Sequence, residues 1–298
     1  MDLRRAKAVF VGPHAWRAGW RFLLFFTIAL VSAQALDAMI KLAGGYQQKP
    51  GEWSAAGLLL DAVLTFVAVI AGMAVMARLE RRSFADYGFP LRARSALLLA
   101  EGALWGFAAA TFVLLAIRLS GGVAFRGVAS TPGLAGGLLS WAVTMLFLGL
   151  AEELLYRGYP LFTFATGMGF WPAATLLSLL FGAAHLGKPD ESAMDIAAIV
   201  GFGLFLCLTL RRTGSLWFAI GFHAMWNYAA MAVYAGPNTG NGGCSIPGHL
   251  FELEYRGPAW LTGGVCGIEA SLFTFVALAA MGALFARRPV PADTIPAS

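Results

Sequence analysis

Charged residues are scarce in this sequence of 298 residues, where they make up 12% of the chain. Soluble domains usually contain about 25% charged residues, so the deficit excludes a soluble enzyme, a disordered chain and a nucleic-acid-binding protein. Hydrophobic residues make up 59% of the chain, and the mean hydropathy is +0.71. The sequence therefore predicts an all-α, polytopic integral membrane protein that is surrounded by the lipid bilayer.

Cysteine is also scarce, with three residues in the chain. Cys207 lies inside an apolar run and is interpreted as a small buried residue. Cys244 and Cys266 flank a polar loop, so the two can form a disulfide in an oxidising compartment. The sequence alone leaves open whether they do.

Long apolar runs recur along the chain, and a helix needs about 20 such residues to cross a bilayer. We expect about eight transmembrane helices around an intramembrane active-site cavity, in one domain over residues 22–286. Residues 1–21 and 287–298 are predicted to be cytoplasmic segments. The expected spans are Phe22–Ala43, Ala56–Ala77, Ala96–Leu119, Gly137–Phe164, Phe170–Ala184, Ala193–Leu210, Ser215–Tyr234 and Ala259–Ala286.

Lysine and arginine cluster before the first span and after the second, sixth and eighth spans. With eight spans, all of these clusters fall on one side of the membrane, and basic loops are typical of the cytoplasmic side. Both termini are therefore predicted to be cytoplasmic, in a plasma membrane of the bacterial type. The clustered residues are Arg4, Arg5, Lys7, Arg17, Arg21, Arg78, Arg81, Arg82, Arg92, Arg94, Arg211, Arg212, Arg287 and Arg288.

Ionisable residues inside spans indicate a cavity or a functional site, because each costs about 2.5–3.5 kcal/mol in a bilayer. The densest of these groups, together with one amide, come from three regions: the fourth span, the end of the fifth span and the seventh span. At 1.5 Å per residue, Glu152, His185, His223 and Asn227 lie about 14–24 Å from the cytoplasmic turns, which places these four residues in one membrane layer. The candidate site residues are Glu152, Glu153, Arg157, His185, His223 and Asn227.

Helical spacing suggests how the glutamates divide their roles. Glu153 and Arg157 are separated by four residues and can form an ion pair, which leaves Glu152 available for chemistry. His223 and Asn227 have the same spacing and lie on one helix face.

Hydrolysis by such a set can proceed in two ways. Glu152, His185 and His223 can bind Zn²⁺, which lowers the pKa of a bound water. Alternatively, no cofactor is needed: Glu152 and His185 deprotonate water, while His223 and Asn227 donate hydrogen bonds to the oxyanion.

Three motifs in this region resemble the signatures of the CPBP family, the CAAX-protease and bacteriocin-processing (Abi) intramembrane proteases. They are E-E-x-x-x-R at Glu152–Arg157, F-x-x-x-H at Phe181–His185 and H-x-x-x-N at His223–Asn227. The resemblance extends over residues 137–234, which it identifies as a CPBP-like catalytic core. It implies an all-helical endopeptidase that cleaves a membrane-associated protein or peptide, prenylated in the CAAX branch of the family.

The resemblance also implies roles for individual residues. Glu152 would be the general base with His185 as its partner, and His223 and Asn227 would contact the oxyanion. Glu153 and Arg157 would support them. The family is often labelled a metalloprotease, although a metal-free glutamate mechanism is also argued for it, and the motifs leave both open.

Two other functions are compatible with the sequence. A proton- or cation-coupled transporter also uses buried histidines and carboxylates, but it usually has related halves, which this sequence lacks. A non-catalytic immunity or scaffold protein would retain the same fold. The sequence identifies neither the substrate nor the oligomeric state.

Overall fold

The computed structural model describes residues 16–45, 53–187 and 191–290. Most of the two predicted cytoplasmic segments, residues 1–21 and 287–298, therefore lies outside the described residues. The helices are α1 (Ala18–Leu42), α2 (Ala55–Glu80), α3 (Ala93–Leu119), α4 (Leu134–Arg157), α5 (Tyr159–Met168), α6 (Phe170–Ala183), α7 (Ala193–Thr213), α8 (Leu216–Asn227), α9 (Ala259–Thr262) and α10 (Leu272–Ala286).

Among the described residues, five helical segments are long and apolar enough to cross a membrane. They are α1, α2, α3, α7 and the consecutive pair α4–α5. Helices α6 and α10 are apolar but shorter, and α8 continues as a π-helix over Tyr228–Val233. The structure agrees with an all-α membrane protein but does not confirm the count of eight spans.

The predicted eighth span is wrong as a continuous helix. Residues 259–286 form the single turn α9, two short 3₁₀ turns and then α10. Gly263, Gly264 and Gly267 adopt positive φ angles in this stretch, a conformation that interrupts an α-helix and that glycine adopts readily. Only the last 15 residues of the predicted span form a long helix.

The predicted fourth span, Gly137–Phe164, is also interrupted. Helix α4 ends at Arg157, and α5 begins one residue beyond Gly158. Pro160 has no N–H for the carbonyl of Tyr156, so the α-helix cannot continue unchanged. A Cβ on Gly158 would lie 2.4 Å from the carbonyl oxygen of Leu154, so the break requires glycine. The E-E-x-x-x-R motif consequently occupies the last turns of α4.

Close packing fixes the position of α8 against α3. A Cβ added to Gly102 would lie 2.0 Å from the carbonyl oxygen of Phe218, and one added to Gly221 would lie 2.0 Å from that of Leu99. Small residues allow the backbones of membrane helices to approach this closely. Helix α8, which carries His223 and Asn227, is therefore held rigidly beside α3.

One end of the bundle, here called the arginine-rich end, carries most of the described basic residues. Polar contacts link its elements: Glu80 accepts hydrogen bonds from Tyr87 and Tyr159 at 3.0 and 2.5 Å and pairs with Arg21 at 3.5 Å. Its arginines are Arg17, Arg21, Arg78, Arg81, Arg82, Arg92, Arg94, Arg211, Arg212, Arg287 and Arg288.

The opposite end, here called the ribbon end, carries an antiparallel ribbon of β1 (Val123–Val128) and β2 (Phe251–Tyr255). Arg126 of β1 pairs with Glu254 of β2 across the ribbon. The ribbon departs from the all-α prediction, and it orders part of the long polar loop that precedes α9. Cys244 in this loop is exposed, Cys266 is buried, and the two carry thiols rather than a disulfide.

Candidate active site

A cavity of about 370 Å³ lies inside the bundle, between α2, α4, α6, α7 and α8. Four of the six candidate residues line it: Glu152, His185, His223 and Asn227. They come from α4, from the turn after α6, and from α8. The three sequence motifs therefore meet at one cavity, although the catalytic role of each residue stays a prediction.

Glu152 and His223 are in contact at the wall of this cavity. Oε2 of Glu152 lies 3.5 Å from Nε2 of His223. The Glu152 side chain is 25% exposed and that of His223 is 11% exposed. A carboxylate and an imidazole thus face the same small space, where either can contact a water molecule or a peptide bond.

Glu153 and Arg157 lie behind the cavity wall, and both side chains are completely buried. Oε1 of Glu153 accepts hydrogen bonds from Nη1 of Arg157 at 3.1 Å and from Nδ1 of His223 at 2.9 Å. The ion pair expected from their spacing is present. Because the Nδ1 hydrogen of His223 points to Glu153, the ring is oriented with Nε2 toward Glu152.

His185 lies just beyond the end of α6, in the turn that closes it. Its Nδ1 donates a hydrogen bond to the carbonyl of Phe181 at 2.9 Å, and the two rings pack edge-to-face with centroids 5.1 Å apart. The Phe181 ring also lies 6.3 Å from the His223 ring. Phe181 therefore contacts both imidazoles. The family resemblance implies that His185 is the partner of Glu152. In the structure, the imidazole that contacts Glu152 is that of His223.

One motif residue and two residues outside the motifs surround the Arg157 side chain. The guanidinium lies over the Phe181 ring at 4.4 Å from its centroid. A Cβ added to Gly203 of α7 would lie 2.9 Å from Nη2 of Arg157 and 2.8 Å from Oγ of Ser178. The sequence does not single out Gly203 and Ser178, because their proximity to Arg157 depends on how α6 and α7 pack against α4.

Asn227 is the last α-helical residue of α8, and the π-helix begins at Tyr228. A π-helix widens the turn and occurs frequently at functional sites. Asn227 lies four residues after His223 within the α-helix, so both residues share one helix face and line the cavity.

Comparison with known families places this site in context. Residues 134–229 match the family of type II CAAX prenyl endopeptidases, Rce1-like. The match, hereafter the Rce1-like segment, confirms the resemblance to the CPBP family that the motifs indicate. It contains all six candidate residues, from α4 to the end of α8. No curated protein matches the chain.

The Rce1-like segment supports a peptidase at the level of the family. It begins at the first residue of α4 and ends inside the π-helix that follows α8. Helices α1 to α3 and both strands of the ribbon lie outside it, yet Leu58 and Thr65 of α2 line the same cavity. Part of the cavity wall therefore comes from α2, outside the segment that matches the family.

The predicted zinc ligands of the Rce1-like segment do not fit a zinc site as they are positioned. Zinc ligands bind at about 2.0–2.3 Å from the ion, so their donor atoms lie close together. Glu152, His185 and His223 do not form such a group, although Glu152 and His223 are in contact. Of the described residues, one group places three donor atoms within 4.8 Å of one another: Glu191, Asp195 and Cys266.

Chelators are therefore expected to leave peptide cleavage unchanged. Purified protein would be incubated with EDTA or 1,10-phenanthroline, and initial rates would be compared with those of untreated protein. A zinc-dependent peptidase treated in parallel controls for effective chelation. Loss of activity that added Zn²⁺ restores would contradict this expectation and would show that the three side chains move together around a metal.

Proposed function

We propose that this protein is an intramembrane endopeptidase of the CAAX-protease type. Its substrate would be a membrane-associated protein or peptide, prenylated or not. The observation that supports this function best is the contact between Glu152 and His223 in a cavity that His185 and Asn227 also line. A plasma membrane of the bacterial type with both termini in the cytoplasm remains the proposed location.

The proposed reaction is hydrolysis by water that Glu152 activates. Glu152 takes a proton from the water, and the water oxygen attacks the carbonyl carbon of the scissile bond. In this step His223 is protonated at both ring nitrogens: Nδ1–H stays on Glu153, while Nε2–H and the amide of Asn227 donate hydrogen bonds to the oxyanion. The carbon–nitrogen bond then breaks, and the proton held by Glu152 passes to the leaving nitrogen. His185 would hold the water from the other wall.

The positions of Glu153 and Arg157 support this assignment of His223. The hydrogen bond to Glu153 fixes one ring nitrogen of His223, so the other is presented to the cavity. A buried carboxylate that orients a histidine is a recurrent arrangement in hydrolytic sites. Arg157 balances the charge of Glu153 within the protein interior.

The proposal is tested by incubating purified protein in detergent with a library of peptides and identifying new termini by mass spectrometry. We expect internal cleavage that is lost in the His185→Ala and His223→Ala variants, because each removes an imidazole from the cavity. Protein that remains monodisperse but yields no new termini from any library member would contradict the proposal.

The two alternatives have different signatures in the same samples. Reconstituted protein that takes up protons or cations in a Glu152-dependent manner, without proteolysis, would indicate a transporter. An immunity or scaffold protein would retain its biological activity in both histidine variants. Neither outcome is expected from an endopeptidase that depends on the cavity.

A further inference from the structure

The wall of the cavity extends from Glu152 and His223 toward the ribbon end. Cys266 lies in a 3₁₀ turn before α10, and Asp195 lies in the first turn of α7. Sγ of Cys266 contacts Oγ of Ser192, the residue before α7, at 3.6 Å, and Oγ1 of Thr239 donates a hydrogen bond to Glu191 at 2.9 Å. The ribbon-end residues of the wall include Trp53, Glu191, Asp195, Asn238, Cys266 and Glu269.

Between the cavity and the arginine-rich end, the bundle is densely packed. Leu154, Tyr159 and Ile220 are completely buried and belong to one apolar cluster, which extends to Met76 and Leu216. The completely buried Arg157 and Glu153 lie beside this cluster. Protein interiors packed in this way leave no passage for a peptide, so the described side chains close the cavity toward the arginine-rich end.

The two ends differ sharply in charge. Basic clusters mark the cytoplasmic side of membrane proteins, which assigns the arginine-rich end to the cytoplasm. At the ribbon end, by contrast, Arg126 and Arg256 both pair with Glu254, and Lys41 pairs with Asp37. The end toward which the cavity extends is therefore the end that the charge distribution places outside the cytoplasm.

We infer that the cavity takes its substrate from the non-cytoplasmic side of the membrane. The substrate class is then a polypeptide segment that has already crossed the membrane or is exposed on its outer face. The C-terminal tail of a cytoplasmic prenylated protein would approach the wrong end of the bundle. This inference rests on the proposed function for its substrate, but the direction of access can be measured without any cleavage.

Thiol labelling in intact cells establishes which end faces outward. Cys244 is exposed at the ribbon end, whereas Cys207 and Cys266 are buried. A membrane-impermeant maleimide added outside is expected to label Cys266→Ser, which keeps the exposed Cys244, and not the Cys244→Ser, Cys266→Ser variant. As the matched control, Arg82→Cys in that double-serine background places a thiol at the arginine-rich end, and we expect it to react only after permeabilisation. The reverse pattern would overturn the inference.

A thiol inside the cavity tests the direction of access itself. Thr65 of α2 lines the cavity. Because Cys266 lines it as well, Thr65→Cys is made in a Cys244→Ser, Cys266→Ser background, where it is expected to react with a small impermeant methanethiosulfonate reagent added outside intact cells. Val67→Cys on the same helix, at an exposed position outside the cavity lining, is the control for lipid-facing thiols and should not react. Reaction of Thr65→Cys only after permeabilisation would overturn the inference.

Cleavage provides an independent readout in sealed membrane vesicles. A polar peptide that purified protein cleaves in detergent is expected to be cleaved by right-side-out vesicles and not by inverted ones until detergent is added. Cleavage by inverted vesicles alone would overturn the inference. If no peptide is cleaved in detergent, the proposed function fails, whereas the labelling of Cys244 and Thr65→Cys still decides the side from which the cavity is reached.

Discussion

Replacing Glu152 with glutamine is expected to reduce kcat for peptide cleavage by roughly 10²–10⁴-fold, the usual contribution of a general base. Glutamine has nearly the same shape, so the cavity should keep its form, but its amide cannot accept a proton from water. Because Glu152 is partly exposed to the cavity and is not the partner of Arg157, folding should be unaffected. The measurement is the initial rate of cleavage at saturating peptide.

Glu252→Gln is the matched control for this variant. Glu252 is a glutamate of β2 with an exposed side chain that contacts His249 at the surface. We expect wild-type kcat for this variant and unchanged melting temperatures for both glutamine variants. If Glu152→Gln cleaves the peptide with the wild-type kcat, Glu152 is not the general base.

Replacing Arg157 with methionine is expected to destabilise the protein by about 3–5 kcal/mol, because the carboxylate of Glu153 would remain buried without its cation. The Arg157 and Glu153 side chains are both completely buried. Methionine fills much of the space of arginine but supplies no charge. The effect is measured as the loss of unfolding free energy, or of melting temperature, of the purified protein in detergent.

A paired variant separates the unpaired charge from the loss of packing. The double variant Glu153→Gln, Arg157→Met removes the buried carboxylate together with the guanidinium that pairs with it. Its stability should therefore return toward the wild-type value. Cleavage should remain low, because the His223 ring loses the carboxylate that orients Nδ1. If the double variant is as unstable as Arg157→Met alone, the ion pair does not account for the destabilisation.

The layer of candidate residues could be predicted from sequence, because the number of residues along a straight helix gives the depth of each side chain in the membrane. Glu152, His185 and the pair His223 and Asn227 come from three separate segments, and all four residues line one cavity. Spacing by four residues also predicts the pair of Glu153 and Arg157, since it depends only on helix geometry. These predictions need no knowledge of how the helices pack.

The contacts between helices could not be predicted in the same way. That His223 contacts both glutamates depends on the rotation of α8 about its axis, which is fixed by backbone contacts at Gly102 and Gly221. The ribbon joins strands separated by more than a hundred residues, a pairing that neither strand encodes alone. Likewise, the space that Gly203 leaves for Arg157 exists only in the packed bundle.

Errors in the predicted spans have a local cause. Hydropathy does not distinguish a continuous helix from an apolar run broken by glycine, so the breaks at Gly158 and at residues 263–267 were invisible to it. The break at Gly158 ends α4 immediately after the E-E-x-x-x-R motif. Helix α5 can therefore run in a different direction from α4, the helix that carries Glu152.

The most direct measurement is the source of the oxygen atom in the new carboxyl terminus. Wild-type protein and Glu152→Gln would each be incubated with a cleavable peptide in water enriched in ¹⁸O, and the products would be analysed by mass spectrometry. We expect wild-type protein to form a product with one heavy oxygen in its new C-terminal carboxylate, and Glu152→Gln to form almost none. A product without heavy oxygen, or equal product from both proteins, would contradict hydrolysis by water that Glu152 activates.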